Sequence, residues 1–420
     1  MNEPADAPQV VRIERPATGG GVGHLGDGRV VFVRHALVGE LVEVDVTERA
    51  TSFARGDAVH VLEASDQRVA APCPYAHPKG CGGCDLQHAS ATAQSSWKAS
   101  LVAEQLRRVA GLEWDVEVLA APSPPKGSRT RLRCAVTDDG RLALRASRSH
   151  DLVAVDACWV ADPRFAPAFA TNWGGSVEVE LRAIGDGPAF AVVRRPHAAG
   201  DVVEVRSLDG RPLDPTTDSR VAVAGHTFSI SPRSFWQSHR DAASMLSDQV
   251  LKWAQVGPGD RVVDLFSGVG LFAVPLAKRV GPTGRVTAVE SSAYAVRDAR
   301  RNADGLAQVK VREWMVTPRA VNDAVARGDV VVLDPPRAGL AKGVAAALAR
   351  RQPRRLVYVS CDAATFARDL KVLSGGGYRL SDLVVFDFFP MTEHVELVGL
   401  LDMDPEKVDS ESEGVRPRPQ

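Results

Sequence analysis

Between residues 10 and 62, apolar and polar positions alternate in short runs, VVFVRH and ELVEVDVTE, broken by glycine clusters such as ATGGGVGHLGDG. A period of two with turn residues at the breaks reads as the strands of a small β-barrel. The pattern then changes: CPYAHPKGCGGCDLQH is rich in turns and cysteine, and SSWKASLVAEQLRRVAG has helical periodicity. From about 125 to 225 short strands with many turns return. After about 250, apolar strand candidates RVVDLFSG, RVTAVES, DVVVLDPP and RLVYVSC each lead into a polar or small-residue segment and then a helical pattern. Such alternation predicts an α/β fold with a parallel, doubly wound sheet that binds ligands at the C-terminal ends of its strands. The expected divisions are 1–64, 65–235, 236–402 and a disordered tail, 403–420, acidic and then rich in Pro and Arg. No internal repeat is evident.

A length of 420 residues exceeds one typical core and agrees with two or three domains. A formal net charge of −1 requires that any nucleic-acid partner be met by a local positive patch. One candidate is Lys126–Arg148, with one Lys, six Arg and two Asp. The start, MNEPADAPQ, lacks a basic and apolar leader, and no later segment offers a membrane span, so a cytoplasmic protein is expected. In a reducing compartment, six cysteines suggest metal binding or catalysis rather than disulfides.

Four motifs carry chemistry. In VVDLFSGVGLFAVPLA a strand acid, Asp264, precedes a turn whose Gly268 and Gly270 let a ligand approach the backbone. The next strand ends at Glu290, where a carboxylate accepts hydrogen bonds from ribose hydroxyls. The absence of the third glycine of a dinucleotide fingerprint leans towards S-adenosylmethionine. In DVVVLDPPRAGL two prolines stiffen the strand exit beside Asp334, where a planar base could lie. The fourth strand ends in YVSCD, which turns Cys361 towards the ligand crevice. FDFFPMTEHVELVGLL offers His394 or Glu396 as a general base. Together these residues suit methylation at carbon 5 of uracil: a thiolate adds to carbon 6, the resulting enolate takes the methyl group, and a base removes the carbon 5 proton. A separate set, Cys73, Cys81, Cys84 and Cys158, suits an iron–sulfur cluster or a tetrahedral zinc. Cys134, within RLRCAV, reads as packing.

The segments SPRSFWQSH, DLFSGVGLF, AVES, LDPPRAGL, YVSCD and PMTEHVE occur in this order. Over nearly its whole length the chain resembles the bacterial S-adenosylmethionine-dependent RNA uracil-5-methyltransferases, in the branch with an N-terminal TRAM domain and a [4Fe–4S] cluster. The resemblance implies a Rossmann-like class I methyltransferase domain preceded by an OB-like TRAM barrel and a central β-rich RNA-binding domain. It implies that Cys361 is the nucleophile and Glu396 the base. Gln237, Phe266, Glu290 and Asp334 would line the cofactor or substrate site, and Cys73, Cys81, Cys84 and Cys158 would hold the cluster. A helix near 93–124 would pack on the catalytic domain. The expected substrate is 23S rRNA, with tRNA as the alternative, and a monomeric enzyme is expected.

The chain departs from the family pattern in three places. Seven residues separate Cys73 from Cys81 where the family usually has five. Leu271 replaces a frequent asparagine, so one cofactor contact should be missing. VREWMVTPRA lacks the usual polar residue near adenine, leaving Trp314 or Met315 to supply an apolar contact. On the barrel, Arg12, Arg34 and Arg55 are the expected RNA contacts. Cytosine-5 methylation would require a second cysteine after the proline motif, which is absent. A non-catalytic cluster-bearing RNA-binding or chaperone protein remains the alternative of another class.

Overall fold

The computed structural model describes residues 9–198 and 200–404. At its N-terminal end six strands form a barrel-like sheet in the order Gln9–Arg12, Leu41–Arg49, Phe53–Glu63, Val30–Arg34, Gly20–His24 and Arg15–Ala17. The sequence alternation is realised directly: Val31, Val33, Val42 and Val44 point inwards and are fully buried with Val11 and Ile13. The central segment folds as a second six-stranded sheet, antiparallel throughout, with Trp173, Phe165 and Leu181 in its core.

The third unit is an eight-stranded sheet. Its strands, in chain order, are β1 (Val118–Ala120), β2 (Arg261–Leu265), β3 (Arg285–Glu290), β4 (Val309–Glu313), β5 (Val330–Leu333), β6 (Arg355–Ser360), β7 (Tyr378–Asp387) and β8 (Glu396–Met403). The spatial order is β4-β3-β2-β5-β6-β8-β7-β1. Strands β2 to β6 are parallel, and β8 runs antiparallel between β6 and β7. All four residues of β5 are buried because both sheet faces are covered, which is why these strands read as unbroken apolar runs. One face packs on α2 (Ala242–Ala254) and α3 (Ala273–Val280). The other packs on α6 (Val344–Arg351) and α7 (Ala363–Gly375). Between these pairs in sequence lie α4 (Ala293–Asn302) and the seven-residue α5 (Pro318–Ala324).

Two expectations need correction. The helix expected near 93–124 is α1 (Ala91–Gln105), capped by Ser90, which continues as one π-helical turn and ends at Gly111 in the left-handed conformation. Its Val102 and the following Leu106 enter the core under α7. The chain beyond it supplies β1, an edge strand parallel to β7. Met403, expected to begin the tail, is the last residue of β8 and pairs with Tyr378. The remainder of the expected tail, from 405, lies outside the described residues. The hairpin Ser219–Val223/His226–Ile230 sends Val223, Phe228 and Ile230 into the core shared with α2 and α3.

Candidate active site

Strand β2 delivers the first side of the site. Asp264 and Leu265 are fully buried, and the chain then leaves the sheet through Phe266 at φ 64°, a conformation that a bulky side chain adopts only under constraint. Gly268 has φ 54°, and a Cβ built on it would meet nothing within 4 Å, so the turn faces open space. The Gly268 amide donates to Glu290 Oε2 at 3.0 Å, while the Ser291 and Ser292 amides donate to Oε1 at 2.8 and 2.7 Å. The carboxylate ending β3 is thereby fixed between the glycine turn and the start of α4. Trp314 is held beside it by its amide, 2.9 Å from the Glu290 carbonyl, and lies under the Arg312 guanidinium at 5.0 Å. Met315 is 71% exposed. Leu271 packs in the core, and Asn302 of α4 steadies the turn instead by donating to the Val269 carbonyl at 3.0 Å.

Asp334 follows β5, Cys361 follows β6 and Glu396 opens β8, so three separate strand ends bring them to the same edge as Asp264. They act on one another electrostatically. Burial, reinforced by the charge of Asp334, raises Asp264 and Glu396 well above the carboxylate range, and neither Asp264 oxygen has a hydrogen-bond partner. Asp334 keeps some surface open to the cleft, yet desolvation pushes it up to about 7. Burial, then Glu396 and Asp334, push the Cys361 thiol up to about 12; Arg337 pulls it down and Asp362 adds to the rise. Asp362 is the N-cap of α7, accepting from the Thr365 amide at 2.9 Å. The charged forms of all four groups are disfavoured, and Arg337 opposes the rise at Cys361 alone. His394 is pushed down to about 4 by burial and by Arg337.

The loop carrying Glu396 is anchored from distant parts of the chain. Lys98 of α1, 0% exposed, places Nζ 2.5 Å from Asp387 Oδ1 and 3.0 Å from the Phe389 carbonyl. Gln94 Oε1 accepts from the Met391 amide at 2.9 Å, and the Leu86 amide donates to the Met391 carbonyl at 2.9 Å. From the barrel, the Gly19 amide donates to Glu393 Oε2 at 2.7 Å. Sequence reading missed Lys98 and Glu393, since their partners are remote in the chain and no local spacing marks them.

Cys73, Cys81, Cys84 and Cys158 line one cavity of about 600 Å³, bordered also by the buried Cys134 and by Arg129. Burial raises Cys81 and Cys158 and takes Cys84 to about 11, while Arg129 lowers all three. The long Cys73–Cys81 span closes on itself through Gly80 N to His77 O and Cys81 N to Tyr75 O, both 2.9 Å. A Cβ on Gly80 would lie 2.3 Å from the Tyr75 carbonyl oxygen, so the turn needs glycine. Among the described residues no group of three or more His, Cys, Asp or Glu side chains converges on a single metal-ion position.

Other expected residues stand apart. Gln237 borders a small space with Thr130, Arg182 and Trp236, its carbonyl accepting from Thr130 Oγ1 at 3.2 Å. A cavity of about 1000 Å³ lies beside it, lined by Arg164, His239 and Arg240 and by none of the residues at the strand ends. Of the basic stretch, Arg131 and Arg133 are tied to Glu180 at 2.7 and 3.2 Å, and Arg141 to Asp156 at 2.8 Å. These arginines brace the central sheet and its loops. On the barrel, Arg12 and Arg34 pair with Glu63 and Asp57, and Arg55 pairs with Glu48 at 3.1 Å while lying over the rings of Phe32 and Phe53 at 5.3 and 4.9 Å.

A profile of the tRNA (uracil-5-)-methyltransferases matches residues 217–403, and one of the TRAM domain matches residues 9–59. An RNA methyltransferase of Streptomyces avermitilis is 38% identical over 417 residues, covering 92% of this chain and 96% of the relative. The 23S rRNA (uracil(1939)-C(5))-methyltransferase RlmD of Pectobacterium atrosepticum is 36% identical, covering 89% of each chain. Among solved structures, the Pyrococcus abyssi tRNA (uracil-54, C5)-methyltransferase in complex with S-adenosyl-L-homocysteine superposes with a TM-score of 0.68 and 27% identity, covering 93% of this chain and 99% of the other.

Proposed function

Because the chain belongs to the tRNA (uracil-5-)-methyltransferase family, an RNA uracil-C5-methylating group of enzymes, we propose that it methylates carbon 5 of a uridine in 23S rRNA with Cys361 as nucleophile and Glu396 as base. The observation that carries the residue assignment is the meeting of Cys361, Asp334 and Glu396 at the strand ends beside the open Gly268 turn. S-adenosylmethionine, when bound, supplies the methyl group and a positively charged sulfonium. The unpartnered Asp264 and the open turn fit such a ligand, with Glu290 placed for the ribose, Phe266, Gly268 and Gly270 shaping the turn, and Trp314 beside the expected adenine.

The steps then follow from the side chains. Cys361, as thiolate, forms a bond from Sγ to carbon 6 of the uracil as the C5–C6 double bond opens, and the electron pair moved to carbon 5 takes the methyl group as the methyl–sulfur bond breaks and S-adenosylhomocysteine leaves. Glu396 removes the carbon 5 proton, and the re-formed double bond expels Cys361 as thiolate. A buried carboxylate with a raised pKa is a stronger base than an imidazole pushed down to about 4, which favours Glu396 over His394. Gln237 is assigned to the substrate side on sequence grounds.

The four-cysteine cavity supports a [4Fe–4S] cluster held by Cys73, Cys81, Cys84 and Cys158. Thiols spread around about 600 Å³ suit a group of several metal atoms better than one zinc ion. A cytoplasmic enzyme fits its RNA substrate. The tRNA alternative draws on the Pyrococcus neighbour.

The test is mass-spectrometric mapping of 5-methyluridine in rRNA and tRNA from a strain lacking the protein, complemented with wild type or Cys361→Ala. Loss of one 23S position, restored by wild type alone, is expected. Loss in tRNA reassigns the substrate, and no loss at any uridine overturns the reading. RNA carrying 5-fluorouridine should form a lasting covalent adduct with wild type and none with Cys361→Ala.

A further inference from the structure

At the β2–β3–β4 edge of the methyltransferase sheet lies a groove of about 500 Å³ lined by Arg261, Arg285, Lys310 and Arg312, with Asp323 as its acidic residue. Its origin is visible in the register. Arg261 pairs with Arg285, Thr287 with Lys310 and Val289 with Arg312, so these cations extend the face that carries Val263 and Val289 into the core. The short α5 reaches this groove only with Asp323 and Ala324 at its end. Where the sheet face leaves the core for solvent its side chains turn polar, and here four of them are cations.

The charges are only partly used within the molecule. Arg261 pairs with Asp329 at 2.9 Å, Arg312 lies over Trp314, and Asp323 faces Arg319 at 3.8 Å. Arg285 and Lys310 are exposed and, among the described residues, their side chains make no ion pair or hydrogen bond. In the larger cavity of about 1000 Å³, Arg164 and Arg240 both bind Asp162, and a single exposed cation, Arg220, is left without a side-chain partner among the described residues.

We propose that this groove binds the phosphate backbone of the substrate RNA at a place remote from the target uridine. The inference rests on the RNA reading above and adds a second contact region to it. The geometry sets the separation. Arg285 opens β3 and Glu290 closes it, and five residues at about 3.3 Å each put roughly 17 Å between Arg285 and the cofactor acid; Lys310, level with Thr287, is about 10 Å from it, and Arg312 and Trp314 carry the groove up to the cofactor side. RNA must therefore extend well past the reacting nucleotide to reach Arg285, and two flexible cations without base-reading partners give positioning rather than sequence choice.

The experiment compares wild type with the double variants Arg285→Ala/Lys310→Ala and Arg285→Glu/Lys310→Glu. Binding is measured across a salt series on two RNAs, a long 23S rRNA transcript and a short hairpin containing the same uridine. Loss of two phosphate contacts should lower the slope of log affinity against log salt by about 1.4–1.8, and weaken long-RNA binding about tenfold at low salt. Charge reversal should weaken it further. Hairpin binding and methyl transfer to the hairpin should match wild type in both variants. An unchanged slope on the long RNA, as an acidic protein partner for this groove would give, overturns the proposal. Failure of wild type to methylate either RNA strikes instead at the underlying RNA reading.

Discussion

A thiol pushed up to about 12 is neutral at physiological pH, so Cys361 in the ligand-free protein is a guarded nucleophile. Alkylation of its peptide, followed by mass spectrometry, should speed up about tenfold per pH unit from pH 7 to 9 with no plateau near the ordinary thiol range of about 8.5. Arg337→Ala should slow it, since Arg337 is the cation opposing the rise. Asp334 gives a stability counterpart. Its folded pKa, about 7, lies above its unfolded value, so its contribution is complete below about pH 4 and is lost as the pH rises through 7. Asp334→Asn should therefore flatten the fall of Tm between pH 4 and 8, leaving the variant more stable than wild type at pH 8 by up to a few kcal/mol while turnover collapses. The position of Cys361 at a strand end can be read from LVYVSCD alone. Its protonation cannot, because that depends on Asp334 and Glu396, which other strands deliver.

At the scale of elements, the parallel strands are legible because burial on both faces leaves an apolar run in the sequence, as in Val330–Leu333. Helix α1 is legible too, but its C-terminal limit is not: the chain after Gly111 holds no strong strand pattern, and β1 forms only because β7 offers an open edge. The role of α1 is likewise hidden in sequence. Lys98 is a fully buried cation, and burial lowers its pKa while Asp387 holds it up. Lys98→Met leaves Asp387 without its ion-pair partner and removes one of the donors to the Phe389 carbonyl, which keeps Thr392, a loss on the order of 3–5 kcal/mol when a buried pair is broken from one side. Denaturant unfolding should show it. The companion variant Lys98→Met/Asp387→Leu should recover much of the stability but not the methyl-transfer rate, because the Glu396 loop still lacks its anchor.

For the whole molecule, the barrel meets the catalytic loop through a half-buried hydrogen bond, from the Gly19 amide to Glu393 Oε2, beside Arg148 of the central unit. Three parts of the chain meet there, and the meeting is tight: Gly19 has φ +90°, and a Cβ on it would lie 2.3 Å from Arg148 Nη2. Burial raises Glu393 to about 7; the Gly19 amide, Arg148 and Arg337 oppose the rise and Asp85 adds to it. Because burial raises Glu393 above the ordinary carboxylate range, its ionisation works against the closed contact, so the barrel should be held most firmly below about pH 4 and less firmly as the pH rises through 7. Glu393 stands three positions before Glu396, so slack at this contact reaches the proton-removing base. Glu393→Gln keeps a neutral acceptor, and its kcat/KM for RNA should lose the part of any wild-type decline that sets in as the pH rises through 7, with KM for S-adenosylmethionine unchanged. Gly19→Ala should lower kcat/KM for RNA at every pH, because at φ +90° it adds about 1–2 kcal/mol of backbone strain and makes the Arg148 guanidinium move aside. If Gly19→Ala and Glu393→Gln instead match wild type in kcat/KM across the pH range, the barrel binds RNA without bearing on the catalytic loop.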